Sequence, residues 1–503
     1  MMKDFNYYLD KTGEIGYVEK NLKSLVYLKG LPEIKPNEVV LFENGYVGLV
    51  LGFDEKLIET LVLGSVDVGL GTKVARTGQE ISARVGDELL GRLVNSLGLT
   101  YGEEIKQVPT SENNSNSKVL EIRPAGIDKR KDIDTPFITG VSTVDLLISL
   151  GKGQRELVIG DRKTGKTDFL RQVVFSQASQ GVVCIYCAIA KSRFDINKTY
   201  DYFKEKKIDK NVITVASSSS DPSGLIYLAP YTAMTVAEHF RDQGRDTLLV
   251  LDDLTAHAKC YREISLLAGR FPGRSSYPGD IFYIHSKLLE RAGNFRVIKK
   301  NEKGEVENKE AAITCLPVAE MTMGDLSGYI QTNLMSMTDG HIFFDIDLFN
   351  KGMRPPINSY LSVTRVGRQA QSTLLKSLSS ELTSFLVKNR ELKDFMQFGA
   401  ELTEETKRTL DMGEKIEGFL NQGYDLMVPL NANILVIGLF WAKYFKSMGV
   451  DEVKQVTRQF IDFYLKNENV RGRVDNMVSS SADFEQLVNK LMEDQSWVST
   501  VIK

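Results

Sequence analysis

The pattern of apolar and polar positions changes twice along the chain, near residues 85 and 370. In the first part, residues 1–85, it indicates strands only, with apolar runs at 25–28, 39–42 and 46–51. The dipeptide Asn44-Gly45 separates two of these runs and predicts a hairpin with a two-residue type I′ turn. A small β-barrel is the simplest way to close such strands, so we predict an N-terminal β-barrel.

In the second part, residues 86–370, short apolar runs alternate with segments of helical period. This alternation predicts a mostly parallel sheet flanked by helices. The predicted strands are 156–159, 182–189, 212–216, 247–252, 312–316 and 361–363. Two polar stretches are predicted as solvent-exposed loops, 110–117 and 299–305, and the second also fits the tip of a hairpin.

In the third part, residues 371–503, the apolar period is helical, which predicts a C-terminal α-helical bundle. One apolar helix face contains Leu378, Leu382, Phe385 and Leu386. A second, behind the predicted N-cap Ser481, contains Phe484, Leu487, Val488 and Leu491.

The length of 503 residues favours two to four domains of roughly 100–200 residues each. The longest apolar run, from Ile434 to Ala442, is shorter than the roughly 20 residues that a membrane span needs. The first residues lack the apolar core of a secretory signal, so we expect a cytosolic location.

The four cysteines fit a reducing compartment, because they are too scattered for a disulfide framework. Cys184 and Cys187 form a C-x-x-C pattern, but they lie in an apolar run that predicts a buried strand, and no second pair completes a zinc site. A net charge of −3 without a basic cluster argues against nucleic acid as a partner.

A short apolar strand at 156–159 leads into a glycine-bounded loop that ends in Lys-Thr. The loop residues are Gly160, Asp161, Arg162, Lys163, Thr164, Gly165, Lys166 and Thr167. This spacing is typical of a P-loop, whose backbone N–H groups surround the phosphates of ATP or ADP. Lys166 would contact the outer phosphates, and the Thr167 hydroxyl would hold Mg²⁺. The strand before the loop and the helical segment after it favour this interpretation over a glycine turn without a ligand.

A P-loop site also needs a carboxylate on its metal side, at the end of a neighbouring strand. Asp252 ends the apolar run 247–252 and is predicted to orient a water molecule bound to Mg²⁺. An acidic turn after a strand is common by itself, so this prediction depends on the P-loop.

Five segments together resemble the alpha subunit of the F-type rotary ATP synthase: 160–167, Tyr-Pro-Gly-Asp at 277–280, 285–291, Thr-Asp-Gly at 338–340 and 362–367. Their order and spacing match over nearly the whole chain, and Gly-Asp-Arg-x-Thr-Gly-Lys-Thr is the alpha form of the loop. The resemblance implies a barrel, a RecA-like nucleotide domain and a helical domain. It also implies a six-membered ring in which this chain alternates with beta-type catalytic subunits around a gamma-type central shaft.

The resemblance also bears on catalysis. In catalytic subunits of this family, a glutamate after the strand that follows the P-loop helix polarises the attacking water. Lys191 stands at the matching position, where alpha subunits typically have glutamine, and a protonated lysine cannot accept a proton. We therefore predict that the chain binds nucleotide without hydrolysing it, and a lysine that merely faces solvent would lead to the same prediction.

Arg365 matches the arginine finger that alpha subunits extend into the beta site, where such a group contributes on the order of 10³–10⁵ in rate. Ser362 belongs to the same motif and is a second candidate for a catalytic residue. An ordinary surface arginine is the alternative for Arg365. By resemblance, the adenine pocket would contain Arg354, Pro355 and Gln422, although this chain has Tyr424 where alpha subunits often have a second glutamine.

Three features depart from the family. Lys163 replaces the usual glutamine in the loop, and it either adds a cation near the phosphates or points to solvent. Residues 294–311 form a longer link, and the segment before the barrel is shorter than the usual helical piece that docks the stator. These departures fit either a motor at the inner face of the cell membrane, repurposed for motility or transport, or a proton-driven synthase with a trimmed terminus.

Two functions of other classes are disfavoured. A self-sufficient hexameric helicase or translocase would need nucleic-acid contacts, and the net charge of the chain argues against them. Lys191 also argues against it, because such an enzyme needs a catalytic base. A purely structural ring spacer without nucleotide is disfavoured by the intact P-loop and by Asp252.

Overall fold

The computed structural model describes residues 4–64, 68–103, 105, 116–300, 306–397, 403–424 and 426–494. The chain divides into two compact units. The first comprises Met1–Asp132, Gly153–Arg162 and Gln177–Asp339, and the second comprises Ile133–Lys152, Lys163–Ser176 and Gly340–Lys503. Most of the first predicted loop, at 110–115, lies outside the described residues, as do the residues 301–305 of the second.

Six antiparallel strands form a closed barrel in the first unit, as predicted. They are β1 (Ile15–Leu22), β2 (Leu25–Lys29), β3 (Glu38–Phe42), β4 (Val47–Phe53), β5 (Ile58–Val62) and β6 (Lys73–Glu80). Their order around the barrel is β1-β2-β5-β4-β3-β6. Buried side chains such as Val26, Val40 and Val50 fill the interior, and closure leaves no strand edge open to other chains.

The predicted hairpin joins β3 and β4, but the prediction of a two-residue type I′ turn was wrong. A hydrogen bond from the Phe42 N–H to the Tyr46 carbonyl, 2.9 Å long, closes a three-residue loop. Within this loop Gly45 has a positive φ of 83° and Asn44 does not. Three-residue hairpin loops need one residue in the left-handed region, which glycine adopts without a steric penalty.

A short helix, α1 (Phe5–Thr12), precedes the barrel, although the sequence pattern indicated strands only. The Asp4 carboxylate caps its start by accepting a hydrogen bond from the Tyr7 N–H, and Gly13 ends it at a φ of 68°. The prediction missed α1 because helical periodicity becomes visible only in windows of about 11–18 residues.

The central part is an α/β fold, as predicted. Its strands are β7 (Ser82–Arg84), β8 (Leu93–Val94), β9 (Ser117–Val119), β10 (Arg130–Lys131), β11 (Pro136–Phe137), β12 (Leu150–Gly151), β13 (Glu156–Asp161), β14 (Val183–Lys191), β15 (Val212–Ser218), β16 (Thr247–Asp252), β17 (Gly293–Lys300), β18 (Val306–Met321), β19 (Gly340–Phe344) and β20 (Val363–Thr364). Its helices are α2 (Ser142–Leu147), α3 (Lys166–Ser179), α4 (Arg193–Glu205), α5 (Ser223–Asp242), α6 (Leu254–Leu267), α7 (Ile281–Leu289), α8 (Tyr329–Met337) and α9 (Ile346–Asn350).

Within the first unit, six strands lie side by side in the order β13, β18, β16, β14, β15 and β8, and each neighbouring pair is parallel. The carboxyl ends of β13, β16 and β14 therefore meet at one edge of the sheet. These ends are Asp161, Asp252 and Lys191. Open sheets of this kind bind ligands at this edge.

Two strand predictions need correction. β18 extends far beyond the predicted 312–316, because its first half pairs antiparallel with β17, where Val297 lies opposite Lys309. The predicted strand 361–363 overlaps β20 only at Val363. The Asn358 side-chain oxygen accepts hydrogen bonds from the N–H groups of Tyr360 and Leu361, at 3.1 and 3.2 Å, and thereby holds the preceding residues in a turn.

The second unit contains a helical bundle, as predicted. Its helices are α10 (Thr373–Gln397), α11 (Glu404–Leu420), α12 (Leu430–Trp441), α13 (Val450–Lys466), α14 (Glu468–Ser479) and α15 (Phe484–Glu493). The two predicted apolar faces lie in its core, since Leu378, Leu382, Leu487 and Leu491 are almost fully buried.

The predicted N-cap of α15 was wrong. The cap is Asp483, whose carboxylate accepts a hydrogen bond of 2.9 Å from the Gln486 N–H. The Ser481 hydroxyl instead donates to the Met477 carbonyl at 2.7 Å and so belongs to the end of α14.

Cys184 and Cys187 are fully buried in β14, as predicted. The described part of the chain contains no group of three or more His, Cys, Asp or Glu side chains placed to hold a metal ion. None of the helices among the described residues is both long enough and apolar enough to cross a bilayer.

Candidate functional site

The P-loop connects β13 to α3, as the sequence predicted. β13 ends at Asp161 and α3 begins at Lys166. Gly165 has a φ of +87°, which a residue with a side chain rarely adopts. The loop is compact around this glycine, since Thr164 is fully buried and Lys166 is only 7% exposed.

Tyr424 contacts this loop within the second unit. A Cβ atom placed on Gly165 would lie 1.9 Å from the Tyr424 hydroxyl oxygen, so the phenol fills the space beside the glycine. The hydroxyl is buried and has no hydrogen-bond partner among the described residues. Burial, followed by the nearby charge of Asp168, raises the pKa of Tyr424 to about 12, which keeps the phenol protonated and able to donate.

Three side chains predicted to bind nucleotide are placed at the start of the loop. The Asp161 carboxylate accepts a hydrogen bond of 2.9 Å from the Gly324 N–H. The exposed Arg162 guanidinium forms an ion pair of 2.7 Å with Glu320. Lys163 is exposed, at a positive φ of 61°, which agrees with the solvent-facing alternative. The contacts of Asp161 with Gly324 and of Arg162 with Glu320 therefore stabilise the start of the loop.

Lys191 lies at the same edge of the sheet and contacts two acidic residues. Its ammonium nitrogen is 2.7 Å from Oδ1 of Asp252 and 2.9 Å from Oδ2 of Asp253. A bulge in β14 precedes it, where Ala190 has a positive φ of 53°. Burial alone would lower the pKa of Lys191, but the charges of Asp252 and Asp253 outweigh it and raise the pKa above its ordinary value. Lys191 is therefore a charged, partly buried partner of both carboxylates.

Asp252 was predicted to orient a water molecule bound to Mg²⁺. Its carboxylate is 3% exposed and accepts a second hydrogen bond, 2.7 Å long, from the Tyr186 hydroxyl to Oδ2. Each carboxylate oxygen thus already has a donor, and one donor is a cation. The role of Asp252 in orienting a water molecule bound to Mg²⁺ stays a prediction.

Asp253, which the sequence reasoning missed, completes this cluster. Its Oδ1 accepts a hydrogen bond of 2.6 Å from the Ala256 N–H and caps α6. Burial raises the pKa of Asp253, and the Lys191 ammonium opposes that shift. The signal in the sequence was the pairing of strands: because 182–189 and 247–252 were both predicted as parallel strands, their carboxyl ends could be expected to meet.

The arginine-finger candidate lies in the second unit, directly after β20, and is exposed. Arg365 is close enough to His341 for its charge to act there: burial lowers the pKa of His341, and the Arg365 charge lowers it further. The Ser362 hydroxyl donates to the Asn358 carbonyl at 2.7 Å and accepts from the Phe343 N–H at 3.0 Å. Ser362 therefore joins β19 to the segment that carries Arg365.

The predicted adenine-pocket residues make contacts within the second unit. The Arg354 guanidinium donates to the Phe349 and Met353 carbonyls at 2.8 and 2.7 Å, and it lies 3.7 Å from the centroid of the Phe349 ring. Its bond to Pro355 is cis. Gln422 accepts from the Ser142 N–H at 2.8 Å. Gln422 also donates to the carbonyls of Gly140 and Leu426. Arg354 and Gln422 thus hold neighbouring loops in place.

Comparisons with known proteins agree with this architecture. Residues 140–364 match the model of the ATP synthase alpha/beta family, nucleotide-binding domain, and residues 371–495 match the model of the ATP synthase alpha/beta chain, C terminal domain. An ATP synthase subunit alpha of Carsonella ruddii (strain PV) is 35% identical over 95% of this chain and 97% of that protein.

Two further relatives are similar to a comparable degree. An ATP synthase subunit alpha of Sulfurovum sp. (strain NBC37-1) is 38% identical over 96% of this chain and 93% of that protein. An ATP synthase subunit alpha 2 of Hahella chejuensis (strain KCTC 2396) is 40% identical over 79% of this chain and 77% of that protein. Over nearly its whole length, therefore, this chain belongs to the ATP synthase alpha/beta family and is similar to its alpha subunits.

Proposed function

We propose that this chain is a nucleotide-binding subunit of a rotary ATPase that does not itself hydrolyse ATP. In this proposal it alternates with beta-type catalytic subunits in a six-membered ring around a gamma-type shaft, and it supplies Arg365 to the site of its beta-type neighbour. The observation that carries the proposal is the contact of Lys191 with Asp252 and Asp253, at the edge of the sheet where β13 leads into the P-loop.

The absence of hydrolysis follows from the chemistry of Lys191. Catalytic subunits of the family use a glutamate at this position to polarise the attacking water. The Lys191 ammonium has no lone pair with which to accept a proton, and its two carboxylate partners stabilise the charged form. Loss of such assistance typically costs about 10²–10⁴ in rate.

Nucleotide binding is supported by the P-loop and by Tyr424. The loop combines a positive φ at Gly165 with the buried Lys166. The Tyr424 hydroxyl beside Gly165 is an unsatisfied donor, and a phosphate oxygen of ATP or ADP would satisfy it. In sites of this family Thr167 would also meet Mg²⁺. In this proposal Mg²⁺ therefore accompanies the nucleotide, and the Thr167 hydroxyl is its ligand.

The arginine-finger role is supported by the exposure of Arg365 and by the anchoring of its segment. A finger has to reach a neighbouring subunit, so its side chain must be exposed in the single chain, as Arg365 is. The two hydrogen bonds of Ser362 hold the start of the segment against β19, which limits the entropy lost when the guanidinium docks.

The location proposed for the ring is the inner face of the cell membrane, peripheral to a membrane sector and its stator. Support comes from the relatives, which are named as ATP synthase subunits. In ATP synthases, ATP hydrolysis or synthesis is coupled to the movement of protons.

Two measurements on the purified full chain test this proposal. Calorimetric titration with ADP and ATP should give saturable binding, and a turnover assay should give no hydrolysis above background. A Lys166→Ala variant should lose the binding, because it lacks the ammonium group that contacts the phosphates in this proposal. Steady ATP hydrolysis by the isolated chain would contradict the proposal. The proposal would also be contradicted if the wild-type chain bound neither ADP nor ATP.

A further inference from the structure

We propose that the first unit contains a binding pocket for a small molecule that carries a phosphate group, formed around Arg123 and Arg130. The pocket has a volume of about 800 Å³, a size typical of small-molecule sites. Four cationic side chains line it, those of Arg123, Arg130, Arg155 and Lys287, and all of its lining residues belong to the first unit. This inference is independent of the proposed function, because the P-loop residues 163–167 take no part in the pocket.

The Arg130 guanidinium is fixed in place by backbone carbonyls and by an aromatic ring. Its Nη1 donates to the Ala292 carbonyl at 3.2 Å, and its Nη2 donates to the Glu290 carbonyl. The guanidinium carbon lies 5.3 Å from the centroid of the Phe295 ring, and Phe295 is opposite Arg130 where β10 pairs with β17. A guanidinium has more N–H donors than these hydrogen bonds use. Arg130 is therefore a positioned cation with donors left for a ligand.

Two of the four cations are neutralised within the protein. The Arg155 guanidinium donates to both carboxylate oxygens of Asp339, at 3.1 and 2.8 Å. The Lys287 ammonium forms an ion pair with the Glu121 carboxylate. These two side chains add donors to the wall of the pocket, but their charges are already balanced.

The other two cations, Arg123 and Arg130, form no ion pair with any residue in the described ranges. Burial lowers the pKa of Arg130, and the nearby charge of Arg155 lowers it further, against smaller opposing effects of Glu290 and Asp339. The surroundings of Arg130 thus disfavour its positive charge. An anion in the pocket would stabilise that charge, because an opposite charge nearby favours the ionised form.

The unused donors favour a phosphate over a single carboxylate as this anion. The Ser286 hydroxyl also lines the pocket and forms no hydrogen bond with a described residue. Two unpaired guanidinium groups and a hydroxyl match the charge and the three acceptor oxygens of a phosphate group better than those of one carboxylate. The Tyr283 ring, which is 65% exposed, lies at the same pocket and offers a surface for the rest of the molecule.

The experiment uses the full chain with the substitution Lys166→Ala, so that the P-loop does not compete for the probe. Pyrophosphate is titrated calorimetrically without Mg²⁺, and citrate, which carries a similar charge on carboxylates, is titrated in parallel. We expect saturable pyrophosphate binding, with citrate at least about tenfold weaker. Absence of pyrophosphate binding would overturn the inference, and equal affinities for the two anions would overturn the assignment to phosphate. Either outcome leaves the proposed function untouched.

Variants in the same background assign the binding to this pocket. Arg123→Gln changes an exposed side chain without partners, so folding should not be affected, and pyrophosphate binding should weaken about tenfold. Arg92→Gln, at another exposed and unpaired arginine of the first unit, is the matched control and should bind like its parent. Unchanged affinity in Arg123→Gln, or an equal loss in both variants, would overturn the inference.

Arg130→Gln should weaken pyrophosphate binding by more than Arg123→Gln does, because Arg130 is the less exposed of the two cations. Circular dichroism shows whether this variant folds. If it does not, the comparison of Arg123→Gln with Arg92→Gln still decides. A folded Arg130→Gln variant with unchanged affinity would overturn the inference.

Discussion

The hydroxyl oxygen of Tyr424 lies directly beside Gly165 of the P-loop, 1.9 Å from where a Cβ atom on that glycine would be. The hydroxyl is buried without a hydrogen-bond partner among the described residues. A buried donor without a partner costs about 1–3 kcal/mol, so a site that keeps one is expected to satisfy it with a ligand.

Replacing this tyrosine by phenylalanine tests that expectation. Tyr424→Phe removes only the hydroxyl and should weaken ADP binding about fivefold to tenfold, the worth of one hydrogen bond. Thermal stability without nucleotide should stay the same or rise slightly, because no existing hydrogen bond is lost. Calorimetric titration and thermal unfolding measure the two effects.

Tyr464→Phe is the matched control. The Tyr464 hydroxyl donates to Asp475 at 2.6 Å within the helical bundle. This variant should lose about 1 kcal/mol of stability with unchanged ADP affinity. Unchanged affinity in Tyr424→Phe would show that its hydroxyl does not contact the nucleotide.

Arg365→Ala should reduce the steady-state ATPase rate of the reconstituted ring by about 10³-fold or more, because a finger stabilises charge on the transferring phosphoryl group. Nucleotide binding to this chain should be unchanged, since the finger acts on the neighbouring site. Arg365→Lys should not restore the rate, because an ammonium lacks the planar fork of a guanidinium.

Arg368 offers a comparison for this experiment. It is also exposed and lies three positions further along the chain. Arg368→Ala should leave turnover of the ring close to that of the wild type. Near-normal turnover of the Arg365→Ala ring would exclude the finger role.

Removing one partner of a buried ion pair should destabilise the first unit. Arg291 is 2% exposed and contacts Glu238 at 2.6 Å. Glu238→Ala would leave the guanidinium buried without its charge partner, so we expect a loss of about 3–5 kcal/mol in the free energy of unfolding. Lys407, paired with Glu404 on the exposed surface of α11, provides the contrast. Glu404→Ala should cost at most about 0.5 kcal/mol, and urea denaturation of both variants makes the comparison.

Acid should destabilise the protein through His257. Burial lowers the pKa of His257 to about 4, and its Nδ1 is 3.1 Å from Nε2 of the equally buried His285. The unfolded chain takes up this proton below a pKa of about 6.5, whereas the folded chain resists it, so stability falls as the pH falls from about 6.5 to about 4. The His257 contribution is on the order of 2–3 kcal/mol across that window.

His257→Gln is the test of that contribution. Glutamine can still donate a hydrogen bond to the Tyr227 carbonyl, which lies 3.0 Å from Nε2 of His257, but it does not titrate. Urea denaturation at pH 7 and pH 5 should show a smaller loss of stability in this variant than in the wild type. An equal loss in both proteins would assign the acid sensitivity to other groups.

Local patterns predicted much of the fold because the interactions behind them are local. The barrel strands, the parallel strands before Gly160 and Asp252, and the helical face at Leu378 depend on alternation or helical period within a few residues. The local features that the sequence did not predict also have local causes. The helix α1 is too short for its period to stand out, and the turn at Gly45 is closed by a hydrogen bond between the strands that it joins.

By itself, the sequence determined the three-part architecture, the P-loop with Lys166 and Thr167, and the absence of a carboxylate at Lys191. Only the tertiary structure decided what Lys191 does. It contacts Asp253 across 62 positions of sequence, because β14 and β16 are neighbours in the sheet and the bulge at Ala190 turns the strand end toward that pair. The placement of the Tyr424 hydroxyl beside Gly165 was decided in the same way. Which charges pair, and which hydroxyl lacks a hydrogen-bond partner, depends on the strands and loops that are neighbours in space. These neighbours are determined by the packing of the whole unit, not by the adjacent residues in the sequence.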